Sequence, residues 1–203
     1  DFYDAFRLDD RRVCIAIGDV SGKGMPAALF MVRTVTLLRA ELVKTGTLAE
    51  CVNRFNSALC DTSLSHMFVS LVVMRIDLFD GAIEYVNAGH PPMLVSHGGD
   101  PYIPVDDSQG LIAGVLADNI YHGARTHLNS GDRIVLYTDG VTEARNASKG
   151  FYGQQRLIDF LSARDSRDSA GEVSRIFDDI QSFSDKALQS DDITVIAVTY
   201  GGG

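Results

Sequence analysis

Apolar positions along this chain follow two periods, and the changes between them mark its elements. Val13-Cys14-Ile15-Ala16-Ile17 is a continuous apolar run of the length of a short buried strand, predicted over about 13–20. Met31, Val35, Leu38 and Leu42 then recur at four, three and four residues, which predicts a core-facing helix over 26–44. Pro26 suits its first turn and Gly46 closes it. Thr47-Leu-Ala-Glu50 reads as a capping box for a second helix reaching about Cys60, with Leu48, Cys51, Val52, Phe55 and Leu59 on one face.

From 67 the pattern turns β-rich. Strands are predicted over 67–79 and 82–88, joined by an Asp80-Gly81 hairpin signal. Gly89-His90-Pro91-Pro92 breaks the second, Met93-Leu94-Val95 makes a third, and the three read as an antiparallel meander. Residues 104–120, rich in Gly and Asp, read as loop, and 121–128 as another strand. Arg133–Tyr137 is a buried strand, Val141–Ala144 a short helix, 154–163 and 172–187 longer helices, and 193–199 a final strand. The opening Phe2/Asp4/Phe6 alternation fits a strand turned at Asp9-Asp10. This order is not the alternating βαβ of a doubly wound sheet; it suits antiparallel sheets with helices outside.

Composition narrows the function classes. The chain has 203 residues, 45% of them apolar, and a net charge of −9, enough for one large domain and poorly suited to a nucleic-acid backbone. Asp supplies 22 of the 27 acids, a bias toward loops and metal ligands rather than helix surfaces. Cys14, Cys51 and Cys60 have no CxxC spacing, which points to reduced thiols and a cytoplasmic protein. The longest apolar helix is interrupted by Arg33, Arg39 and Glu41, so no membrane segment is expected. The first residue is Asp rather than Met, and a fragment of a longer protein is expected.

The candidate chemistry lies in aspartates at strand ends. Gly18-Asp-Val-Ser-Gly-Lys-Gly24 follows the first apolar strand. It lacks the Gly-Lys-Ser/Thr ending of a Walker loop, but a carboxylate on a glycine-rich loop there suits a hard cation. Asp139 ends a second apolar strand, and Asp191-Asp192 precedes a third. Each taken singly has a plainer reading as a turn or a solvated acid, as do Asp1 and Asp4. Together they are the donors a binuclear site needs, with two cations ~3.5–4 Å apart activating a water. His90, between Gly89 and two prolines, is a candidate general acid whose plainer reading is a structural turn residue.

The set Asp1-Phe-Tyr-Asp4, Gly18-Asp-Val-Ser-Gly-Lys-Gly24, Asn87-Ala-Gly-His-Pro-Pro92, Tyr137-Thr-Asp-Gly-Val-Thr-Glu143 and Asp191-Asp-Ile-Thr194 resembles the SpoIIE-type branch of the bacterial type-2C (PPM) metal-dependent serine/threonine phosphatases. The motifs run in order from Asp1 to about Thr199. The resemblance implies an α+β fold, two packed antiparallel β-sheets flanked by α-helices in αββα order. It implies one phosphatase domain over 1–200, with 201–203 a tail. It also implies two Mn²⁺ or Mg²⁺ ions. Asp19 matches the bridging ligand, Val20 offers its backbone carbonyl, Asp139 and Asp191 match ligands of the first metal, and Asp1 lies on the second metal's side. Asp4 and Asp192 match outer supporting or structural acids. Catalysis then runs through metal-activated water held by Asp19, Asp139 and Asp191, with no phosphoenzyme, and the His90 segment is a fold signature rather than a ligand.

The implied substrate is a phosphoserine or phosphothreonine on a partner protein of the anti-sigma-factor-antagonist type, in a partner-switching pathway. The implied setting is the output domain of a bacterial signalling or response-regulator protein, with an N-terminal regulatory domain in cis; a homodimer is compatible with it. Two departures stand out. The chain begins at the first Asp of the family's Gly-Gly-Asp-x-Tyr-Asp pattern, and the position of the phosphate-holding arginine of eukaryotic members lies before residue 1. Gly110-Leu-Ile-Ala-Gly114 replaces the more usual Gly-Leu-Pro-Leu-Gly. The competing reading is a catalytically silent partner-binding or scaffold domain of the same fold, and a two-metal nuclease is disfavoured by the charge.

Overall fold

The computed structural model describes residues 1–61, 67–163, 169–185, 187, 189 and 191–202; Lys186, in the predicted 172–187 helix, and Gly203, in the tail, lie outside them. The described chain divides into two compact units, each drawn from two stretches: residues 1–90 with 106–127, and residues 91–105 with 128–203.

In the first unit, β1 (Phe2–Arg7), β2 (Arg12–Val20), β3 (Val69–Asp77) and β4 (Ala82–Ala88) form an antiparallel meander. The far edge of β4 takes β7 (Gln109–Gly110) in parallel and β8 (Ala124–His127) antiparallel. Two helices, α1 (Met25–Leu42) and α2 (Leu48–Asp61), pack on each other and on this sheet. The capping box at α2 is present, with Thr47 N–H donating to Glu50 Oε2 at 2.8 Å and Glu50 N–H to Thr47 Oγ1 at 3.2 Å. Leu48, Cys51, Val52, Phe55 and Leu59 are all fully buried, and each large apolar side chain among them contributes about 1.5–3 kcal/mol.

The buried face of α1 keeps Leu38 and Leu42 of the predicted stripe but is rotated from it. Ala27, Phe30, Thr34, Leu38, Glu41 and Leu42 are buried, Met31 and Val35 only partly, and Leu29 and Val32 are exposed. Glu41 explains part of the rotation: it accepts from Lys44 Nζ at 2.5 Å and from Arg54 Nε of α2 at 2.9 Å. That paired carboxylate takes a place the apolar stripe alone assigns to the outside. The β3–β4 loop is also longer than two residues, running 78–81. Asp77 Oδ1 accepts the Phe79 and Asp80 N–H groups and only Gly81 takes positive φ, 76°.

In the second unit the sheet runs β10 (Val195–Thr199), β9 (Arg133–Tyr137), β5 (Met93–Ser96), β6 (Ile103–Val105), antiparallel throughout. The strand at 93–95 therefore does not continue the meander; the Pro91-Pro92 break, with no N–H to donate, is where the chain leaves the first sheet. The 104–120 stretch carries the short β6 and β7 as well as loop. Helices α3 (Asp139–Thr142), α4 (Gln154–Ser162) and α5 (Ser169–Ser184) complete the unit. Leu94, Val135, Tyr137, Val141, Leu157, Leu161 and Ile176 form its core.

Asp132, immediately before β9, is 1% exposed. It bonds His97 Nδ1 at 2.6 Å and accepts the Gly98 and Asn129 N–H groups at 2.8 and 2.9 Å. Burial pushes its carboxyl up, but the His97 bond and the two backbone bonds outweigh it, so the net displacement is below the ordinary 3.8. A depressed folded value gives stability that is present above pH 3.8 and lost as pH falls through it. Asp132→Asn is thus expected to cost about 1–3 kcal/mol at pH 7, with the gap to wild type narrowing by pH 3, read from urea unfolding at both pH values.

Candidate functional site

In the first unit the candidate acids sit where the β1–β2 pair runs out. Phe2 pairs with Gly18, so Asp1 lies alongside Asp19, and the nitrogen of Asp1 is 4.0 Å from Asp19 Oδ1. Asp19 and Val20 are still within β2, paired to Ser70 and Val69 of β3, rather than on the loop beyond it. The register explains Gly18: a Cβ there would stand 2.6 Å from the Phe2 ring and 2.8 Å from the Ser70 carbonyl oxygen. Its value is close packing, not turn geometry. The end of the strand is fastened by Ser21, whose N–H donates to the Phe68 carbonyl at 2.9 Å and whose Oγ accepts the Phe68 N–H at 3.0 Å. Gly22 and Gly24, at φ 89° and 78°, then bend the chain into α1, the left-handed conformations that glycine adopts without strain.

Asp4, on the same strand as Phe2, is placed otherwise. Its carboxylate is 3.3 Å from Arg39 Nη1 of α1, and Arg39 also lies 4.5 Å over the Phe6 ring. It ties a helix to the sheet.

In the second unit Asp139 is the first residue of α3, not a turn after β9. Its carbonyl accepts the Glu143 N–H at 2.7 Å and the Thr142 hydroxyl at 3.1 Å. The 191–194 segment runs beside it. Thr138 N–H donates to the Thr194 carbonyl at 3.1 Å, and Thr194 N–H to Thr138 Oγ1 at 3.0 Å. A Cβ on Gly140 would run into the Asp192 carbonyl group. Asp191 Oδ1 accepts the Asp192 N–H at 3.0 Å, and its carbonyl accepts Gln189 Nε2 at 2.8 Å. A cleft of about 290 Å³ opens beside Asp191, with Arg145, Phe177 and Gln181 among its walls.

The local structure therefore brings Asp1 to Asp19 in one unit and the Asp139–Gly140 segment to the backbone of Asp192 in the other. The donors are all oxygens, carboxylates and the Val20 carbonyl, the set that suits Mg²⁺ or Mn²⁺ rather than a soft metal. Within either unit, among the described residues, no group of three His, Cys, Asp or Glu could hold an ion by itself.

Sequence reasoning missed a polar network behind Asp19. Ser70, its cross-strand partner, has its Oγ 2.9 Å from His90 Nδ1, and His90 is 2% exposed. Asn87 Nδ2 donates to the His90 carbonyl at 2.9 Å and Asn87 Oδ1 accepts the His90 N–H at 2.8 Å. The Asn87-to-His90 spacing was readable as a side-chain-closed turn; the Ser70 bond depends on register and was not.

The fold is that of a type-2C phosphatase domain: the SiaA-PP2C domain of Pseudomonas aeruginosa superposes with a TM-score of 0.86 over 98% of this chain and 80% of that one, at 18% identity. The family is narrower. The chain belongs to the SpoIIE family, whose sequence model, Stage II sporulation protein E, matches residues 9–201. Protein IcfG of Synechocystis sp. is 33% identical over 98% of this chain, and phosphoserine phosphatase RsbU of Bacillus subtilis 30% over 98%. The chain spans 35% of the first relative's length and 58% of the second's.

Because Gly140 abuts the Asp192 backbone, Gly140→Ala is expected to push the two segments apart and cost about 1–3 kcal/mol. Gly201→Ala, which meets nothing within 4 Å, is expected to stay within about 0.5 kcal/mol. Urea midpoints of the two variants beside wild type check this.

Proposed function

We propose that residues 1–200 act as one metal-dependent protein serine/threonine phosphatase domain, hydrolysing phosphoserine or phosphothreonine on a partner protein. The observation that supports the reading is the backbone placement of the acids: Asp1 beside Asp19 at the end of a paired strand, and the 138–140 segment that carries Asp139 running beside the 192–194 segment that follows Asp191. Membership of the SpoIIE family and the likeness to a phosphoserine phosphatase support it. Two Mn²⁺ or Mg²⁺ ions are the cofactors of this reading; a fold neighbour, RsbX, is described in complex with magnesium.

Asp19, Asp1 and the Val20 carbonyl are the ligands proposed from the first unit, and Asp139 and Asp191 those from the second. Asp192 supports Asp191 through its backbone. These oxygens would hold the cations, and the chemistry supplied there would be an activated water for in-line attack at phosphorus and compensation of the phosphoryl charge. The chain's thiols do not compete for that role. Burial pushes the Cys14 thiol up to about 12 and raises Cys60 as well, which keeps both protonated and weakly nucleophilic. The cleft beside Asp191 accepts substrate residues flanking the phosphorylated one, with Arg145 available to the phosphoprotein's charge.

The substrate proposed is an anti-sigma-factor antagonist, and the domain's setting a cytoplasmic signalling protein with a regulatory domain N-terminal to it. No helix among the described residues is long and apolar enough to cross a membrane.

Hydrolysis of p-nitrophenyl phosphate, with and without Mn²⁺, tests the chemistry. Wild type is expected to turn over only with metal. Asp19→Asn and Asp139→Asn are each expected to lose about 10²–10³-fold in rate while keeping the wild-type far-UV spectrum. Undiminished turnover in either variant refutes its assignment as a ligand. Absence of metal-dependent turnover in wild type, on this substrate and on a phosphorylated antagonist, overturns the reading.

A further inference from the structure

We propose that the cleft beside Asp191 is a specificity subsite for the substrate polypeptide: it takes a bulky apolar side chain from a residue flanking the phosphoserine. The inference rests on the phosphatase activity proposed for the domain, and adds what its substrate must carry.

Placement provides the first step. The cleft lies wholly within the second unit, and Asp191, proposed to hold a cation, is one of its walls. Successive Cα atoms of a chain are about 3.8 Å apart. A phosphoserine brought to that cation therefore carries its neighbouring residues to the mouth of the cleft.

Size and lining provide the second. The cleft holds about 290 Å³, and a cavity of about 150 Å³ already admits benzene, so a leucine or phenylalanine side chain fits. Phe177 and Gln181, one turn apart on α5, form one wall, and Ile180 and Ile193 add apolar surface. Phe177 is the residue that the core does not account for. Its neighbours Ile176 and Ile180 are buried, while Phe177 is 41% exposed. An aromatic ring left at a concavity forgoes apolar burial, and recovers it when an apolar side chain enters.

Charge provides the third. The chain carries a net −9, yet Arg145, on the same cleft, has no carboxylate partner among the described residues. Its guanidinium lies instead 4.6 Å from the centre of the Phe151 ring. The two residues bridge across a short loop. That loop is closed from within by Asn146 Oδ1, which accepts the Ser148 and Gly150 N–H groups at 3.0 and 2.9 Å. Arg145 is thus held in place with its N–H donors unspent on any carboxylate. The pairing suits an anionic phosphopolypeptide and disfavours a basic one.

The test compares two phosphoserine peptides on the 203-residue chain with Mn²⁺, one with leucine on both sides of the phosphoserine and one with alanine there. p-Nitrophenyl phosphate, which has no flanking residue, is run alongside. Wild type is expected to favour the leucine peptide in kcat/KM by about 10-fold or more. Phe177→Ala, which removes a wall on the exposed face of α5, is expected to abolish that preference. Gln181→Trp, which fills the cleft, is expected to abolish it too, and decides the matter should Phe177→Ala fail to fold. A preference that survives in either folded variant overturns the proposal. Turnover of p-nitrophenyl phosphate by wild type with neither peptide cleaved, or with both cleaved alike, removes the subsite alone and leaves the phosphatase. No Mn²⁺-dependent turnover of any of the three substrates removes the phosphatase reading, and the subsite with it.

Discussion

Between Val13 and Gly18 every residue of β2 is paired on both edges, to β1 and to β3. A strand so held has almost no freedom left in its backbone, and the cost of fixing it, about 1–2 kcal/mol per residue, is met by the ladder and the core beneath it. Asp19 and Val20 follow directly where β1 ends and only β3 remains. That position combines two properties that conflict elsewhere: the backbone is fixed, yet the carboxylate reaches solvent. A loop aspartate has the second without the first, and a core aspartate the first without the second. The arrangement demands a residue without a side chain at Gly18, where the Phe2 ring and the Ser70 carbonyl fill the space a Cβ would need. Gly140 meets the same demand in the second unit, against the backbone of Asp192.

An acid-rich chain must keep its structural carboxylates apart from its chemical ones. It does so by giving them cations or N–H donors. Asp4 is taken by Arg39, Asp77 and Asp80 by Arg11, Asp179 by Arg156, Glu41 by Lys44 and Arg54, and Asp132 by His97. The exposed pairs add little stability singly; among the candidate acids they account for Asp4 alone, held by Arg39. The preference for Asp over Glu fits the same scheme, since a shorter side chain leaves fewer rotamers to be fixed.

How much of this was legible in the sequence depended on whether the determinant was local. The capping box at Thr47–Glu50, the α2 stripe and the strands at 13–20 and 133–137 are set by neighbours within a few residues, and they were readable. The α1 stripe is borne out at Leu38 and Leu42 and rotated elsewhere, where Glu41 is held inside by Arg54, a partner on another helix. Asp139 looked like a turn residue because Asp-Gly usually is one; here Gly140 is required by contact with a segment some fifty residues on, and the turn tightens into a helix. The strand at 93–95 was assigned to the wrong sheet because alternation gives a strand its faces and says nothing of its partner. Among the candidate acids, the family resemblance already sets Asp4 apart from Asp1 and Asp19 as a supporting or structural acid, but it names no contact. Register supplies one, setting Asp1 beside Asp19, while Asp4 pairs with Arg39.

The nucleophile can be approached by asking what the chain has made unavailable. Hydrolysis at phosphorus needs an oxygen or sulfur with a free lone pair and little competing proton affinity. Burial pushes the thiol of Cys14 and the phenols of Tyr85 and Tyr121 up to about 12, and does the same in direction for Tyr102, Tyr137 and Tyr152. At neutral pH these groups stay protonated, and as core members they are sterically closed as well. The Asp19 carboxylate, by contrast, is open to solvent, and a carboxylate is a weak nucleophile but a strong ligand for a hard cation. With Cys14, Cys51 and every tyrosine but Tyr3 buried, the proposed chemistry runs through water rather than through a buried thiol or phenol. On the proposed function, replacing such a carboxylate by the isosteric amide is expected to remove turnover by removing charge alone, because the amide keeps the side chain's shape.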